Sequence, residues 1–69
     1  MYVKDLIVRL SPYEMIKLLT DYKDITGPHY MIKKFEKYVG CIVVHSINSY
    51  ELVFEEQSKL TMFLLTKPQ

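Results

Sequence analysis

Alternation dominates the first ten residues. From Tyr2 to Leu10, Leu6, Val8 and Leu10 fall on one side of an extended chain, with Val3, Asp5, Ile7 and Arg9 on the other. That two-residue period predicts a half-buried strand over 2–10. The period then changes. Met15, Leu18, Leu19 and Tyr22 recur at three- and four-residue spacing, opposite Glu14, Lys17 and Asp21, which predicts a helix over 12–23. Its start is marked four times over. Ser11 can cap the N3 amide and Glu14 can reach back to the Ser11 amide. Pro12 sits at the first helical position, where an N–H would have no partner anyway. Leu10 and Met15 flank the cap as a hydrophobic staple.

Asp24-Ile25-Thr26-Gly27 reads as a turn, and Gly27-Pro28 breaks the helix. Pro28 can open a second helix over 28–39, with Met31, Ile32, Phe35, Tyr38 and Val39 as its apolar stripe. Gly40 suits the position just past its end, and Lys33, Lys34 and Lys37 lie where cations complement the helix dipole. The remainder reads as strands over 41–47, 50–56 and 60–66, separated by turns at Asn48-Ser49 and Gln57-Ser58-Lys59. The predicted architecture is α+β, in the order β-α-α-β-β-β. Four strands form an antiparallel sheet and two helices pack on one face of it. Counting reversals pairs strand 2–10 with either 41–47 or 60–66.

With Leu6, Val8, Ile42, Val44, Leu52 and Phe54 taken as core, the second face of that sheet carries Val3, Ile7, Val43, Ile47 and Val53. The last strand adds either Phe63 and Leu65 or Met62 and Leu64, according to its register. Asp5, Arg9, His45, Glu51 and Glu55 interrupt the face, which is still more apolar than one meeting water should be. Val3, Ile7, Val43, Ile47, Val53 and Phe63 are therefore the expected interface, either with a second copy or with another protein.

Composition sets the scale. Sixty-nine residues, 49% of them apolar, allow one domain over 1–69. So small a core is marginal, and a lone Cys41 supplies neither an intrachain disulfide nor a cysteine-based zinc site. Self-association is the remaining staple, which makes a homodimer the expected state. The chain opens with neither the basic segment nor the apolar run of a secretion signal. Its longest apolar runs, such as Met62-Phe63-Leu64-Leu65, are far below a membrane span. These features point to a cytoplasmic protein with no membrane partner. The abundance of Lys, Ile and Tyr without Ala or Trp fits an AT-rich coding source such as a phage or mobile element.

Candidate chemistry is sparse. Cys41 and His45 are four residues apart on one strand, hence ~13 Å, which is too far for a thiol and its base. His29, His45, Asp24 and Glu51 have no local metal-binding spacing. Glu55 and Glu56 are adjacent on a strand and point apart. Gly27 and Gly40 belong to no phosphate-binding loop. The expectation is a non-enzymatic protein with no cofactor and no metal, acting by protein–protein interaction as an inhibitor or adaptor of a larger, unidentified protein. The alternative is a small DNA-binding regulator. There the second helix would offer His29, Tyr30, Lys33, Lys34 and Lys37 to nucleic acid, with the following hairpin as a wing. A net charge of +1 and a single arginine weigh against it.

Overall fold

The stretch 2–10 does not run as one strand. In the computed structural model, which describes residues 1–29 and 31–66, it folds into a hairpin. Strand β1 spans Tyr2–Lys4 and β2 spans Ile7–Leu10, paired antiparallel with Lys4 opposite Ile7. Asp5 takes the first position of the tight turn at φ 55°. Aspartate tolerates that left-handed conformation better than most residues, so the turn forms without glycine.

Helix α1 spans Pro12–Asp21 and starts as its sequence requires. The Glu14 amide donates to Ser11 Oγ at 3.1 Å, and the Ser11 amide donates to Glu14 Oε1 at 2.9 Å. A four-residue helix, α2 (Lys23–Thr26), follows, and Gly27 stops it at φ 81°. Helix α3 spans Ile32–Val39, so the predicted start at Pro28 is four residues early. Gly40 ends α3 in the left-handed conformation expected of it, at φ 85°.

Strands β3 (Cys41–His45) and β4 (Tyr50–Phe54) form a second hairpin. The Ser46 amide donates to the Ser49 carbonyl at 2.8 Å, so the turn is centred on Ile47 and Asn48 and the strand ends before Ile47. The sheet has four strands in the order β1-β2-β4-β3, every pair antiparallel. The predicted four-stranded antiparallel α+β architecture is therefore present, with two differences in how it is built. The hairpin at Asp5 reverses β2, so the N-terminal segment pairs through β2 with β4 rather than with 41–47 or 60–66. The span 60–66 is not a strand: α4 runs over Gln57–Thr66. Its Leu60 and Phe63 are three apart and both buried, the spacing of one helical face.

One core joins all of this. Val8, Leu10, Cys41, Leu52 and Phe54 face Met15, Leu18 and Leu19 of α1, Phe35 and Val39 of α3, and Leu60 and Phe63 of α4. Phe63 lies against Phe54 with ring centroids 5.6 Å apart, and Tyr22 meets Phe35 edge-on at 5.3 Å. The radius of gyration is 11.0 Å, close to the ~11 Å of a compact domain this long. No helix among the described residues is long and apolar enough to cross a membrane.

Candidate functional site

Helices cover one face of the sheet, and the described residues leave the other open. The register defines what it presents. One row across the strands reads Lys4, Ile7, Val53, Ile42, and the next reads Tyr2, Arg9, Glu51, Val44. Ile7, Ile42 and Val44 are exposed to 38%, 52% and 41%, and Val53 is half-buried between its neighbours. The result is an uninterrupted apolar row, Ile7–Val53–Ile42, with Val44 beside it and Tyr2 at the far strand. Next to the row, Arg9 Nη2 lies 3.0 Å and Nε 3.3 Å from Glu51 Oε2, a cross-strand ion pair. Tyr2, Lys4, Asp5, Ile7, Arg9 and Glu51 line a shallow hollow of about 250 Å³ at the β1 side of this face.

The expected interface residues divide. Ile7 and Val53 lie on the open face as anticipated. Val3 sits opposite Val8 on the helix side of the sheet, because the Asp5 hairpin inverts β1 relative to β2. Val43 pairs with Leu52 and packs at the edge of the core, while Ile42 and Val44, taken as core, turn outward. The parity of this strand was not fixed by its sequence: Cys41-Ile42-Val43-Val44 is apolar throughout, so nothing polar marks a solvent side. In the structure Cys41 is buried in the core, and Ile42 and Val44 accordingly point the other way. Ile47 is 94% exposed, but at a hairpin tip rather than on the face. Phe63 is 3% exposed and belongs to the core. Ile42 and Val44 are the open-face residues that sequence reasoning missed.

The basic set is placed otherwise. Lys33, Lys34 and Lys37 are exposed on the outer side of α3, with Tyr38 beside them at 64% exposure. His29 is exposed in the turn before the helix, and Tyr30 lies outside the described residues. Lys37 and Lys59 share a polar groove of about 260 Å³ with Glu36, Glu55 and Glu56.

Cys41 is buried, and burial first, then the nearby Glu36 carboxylate, pushes its thiol up to about 12. A thiol held neutral in this way is a poor nucleophile. His45, at the other end of the strand, stacks on Tyr50 with centroids 4.4 Å apart and planes within 7°. Among the described residues no group of three or more His, Cys, Asp or Glu side chains could hold a metal ion. No family model matches the chain, and no curated protein or solved structure matches it either.

Proposed function

We propose that this protein is a non-enzymatic interaction domain that associates with a second copy of itself through the open face of the sheet, in the service of binding or inhibiting a larger protein. The Ile7–Val53–Ile42 row carries this reading, since it spans three adjacent strands and no described element of the chain covers it. The pair beside it suits a two-fold contact. Arg9 and Glu51 carry both signs, so an isologous packing sets Arg9 of one copy against Glu51 of the other. Strands ~4.8 Å apart and ~3.3 Å per residue give this face only ~300 Å² in projection, below the ~800 Å² per partner of a standard interface. Association through it is weak and needs high concentration to observe.

Light scattering over a concentration series tests the reading. The wild type shows a concentration-dependent rise in mass, and Val53→Glu removes it. A clean monomer at the highest soluble concentration would end the proposal. Val43 is unsuited to this test, because its place at the core edge confounds dissociation with unfolding.

The exposed Lys33, Lys34 and Lys37 favour a second reading, in which the outer side of α3 meets nucleic acid. Binding to duplex or single strand would then fall steeply with added salt, and Lys33→Glu with Lys34→Glu would abolish it while leaving self-association intact. Absence of binding at ~50 mM salt, where phosphate contacts are strong, dismisses this reading.

A further inference from the structure

The sheet ends in two edges, and they differ. Across the β3–β4 turn the Ser46 amide donates to the Ser49 carbonyl, and the same register continues through Val44 opposite Glu51 and Ile42 opposite Val53. Backbone groups alternate sides along a strand, so residues 42, 44 and 46 turn theirs to β4. Cys41, Val43 and His45 turn theirs outward. On the opposite edge, the Phe54 amide donates to the Leu6 carbonyl, which assigns 6, 8 and 10 to β4 and leaves 7 and 9 for β1. Tyr2 and Lys4 are taken by Arg9 and Ile7, and Val3 alone faces out. The β3 edge therefore has three outward residues where the β1 edge has one.

The middle one of those three is covered. Glu36 reaches back from α3, and its carboxylate accepts the Val43 amide at 2.6 Å. A side-chain carboxylate set across an edge obstructs the arrival of another strand, which would need that same N–H. The apolar open-face residues of β3, Ile42 and Val44, remain exposed on either side of it.

We propose that β3 is a strand-addition site, that its occupant is β3 of a second copy paired antiparallel about Val43, and that Glu36 closes the site in the single chain. The self-pairing fits without residue left over. With Val43 opposite Val43, Cys41 of each copy meets His45 of the other, and all outward groups engage in about six hydrogen bonds. The same register sets Ile42 of each copy opposite Val44 of the other on the open face. The apolar row of one sheet thus runs into that of the next, a two-fold contact that an unrelated peptide would have no reason to match. Pairing costs each chain one bond to Glu36, so that carboxylate sets the threshold for association. For the identity of its partner this inference rests on the self-association reading above, but its surface is a different one.

Sedimentation of Glu36→Ala against the wild type tests the gate. Removing a charge-assisted bond from each copy should tighten dimerisation about tenfold or more, with circular dichroism confirming the fold. Adding Val43→Pro to Glu36→Ala removes the N–H at an edge position where proline is tolerated, and should cancel the gain. Circular dichroism and the denaturation midpoint should show that this variant still folds, a control that the place of Val43 at the core edge requires. An independent test leaves Glu36 in place: Ile42→Cys with Val44→Cys, in a Cys41→Ser background, should give a disulfide-linked dimer on a non-reducing gel. No tightening in folded Glu36→Ala, tightening that survives Val43→Pro, or no cross-link would each overturn the proposal. Val53→Glu separates the two surfaces, because it removes face packing and should leave the cross-link. Loss of the cross-link in Val53→Glu would reject the edge and keep the face. Unchanged association of Val53→Glu, with Glu36→Ala tightened, would do the reverse.

Discussion

Two side chains show how far a single residue's surroundings determine its chemistry here. Glu14 completes the cap of α1 and also accepts from the amino group of Met1 at 2.6 Å. That ammonium first, and then the Ser11 amide, hold its carboxyl at about 2, from an ordinary 4.5. A carboxylate whose folded value is depressed stabilises the fold above its unfolded value and loses that contribution as pH falls through the folded one. Acid unfolding of Glu14→Gln should therefore depend less on pH between about 4.5 and 2 than that of the wild type. Exposure of the side chain makes the effect small. Ser11→Ala removes the other half of the cap and should cost ~1 kcal/mol in urea unfolding. Cys41 shows the opposite shift. Its thiol rises from 9.0 to about 12 on folding, so the neutral form belongs to the folded state and stability falls as pH climbs through that range. Labelling by a disulfide reagent at pH 8 should be slow in buffer and fast in denaturant. Rapid labelling of the folded protein would show that the thiol is not buried as described.

At the scale of elements, α4 is where sequence and structure part, and Phe63 decides between them. As a strand residue on an open face it would tolerate truncation. Buried on a helix against Phe54, Phe63→Ala should cost ~3–5 kcal/mol, read as a lower denaturation midpoint at unchanged slope. The helix had a signal. No register of 60–66 gave clean alternation, whereas Leu60 and Phe63 keep helical spacing; the run Met62–Leu65 hides this because a short apolar run suits either period. The start of α1 was legible for the contrary reason, since capping is local chemistry and all four of its signals agree. The hairpin at Asp5 was not legible, because Tyr2–Leu10 alternates without a break and the turn lacks the usual glycine. Gly40 foretold the end of α3, but nothing in the sequence foretold the parity of β3. Of the candidate site, Ile7 and Val53 could be read from alternation on strands with polar neighbours, whereas Ile42 and Val44 could not.

For the whole molecule the issue is how a 69-residue chain, with twelve apolar side chains buried among the described residues, holds together. Chains of this length bury only ~60% of the surface they expose when unfolded, and their net stability is correspondingly thin. Any contact between folded copies then contributes visibly, because a partner that binds only the folded form raises the melting temperature with its own concentration. The open face offers such a contact in Ile7, Val53, Ile42 and Val44. The melting temperature of the wild type should therefore rise as the protein is concentrated over two decades. For a domain of 60–100 residues, each kcal/mol gained is worth ~4–8 °C, so even weak association is within reach of a melting curve. Val53→Glu supplies the control, since a charge at the centre of the row opposes face packing while the half-buried position leaves the core untouched. Its melting temperature should be lower only at high concentration and should not vary with dilution. A wild-type curve that is flat with concentration would mean that the domain stands on its own core and that the open face does not hold a second copy.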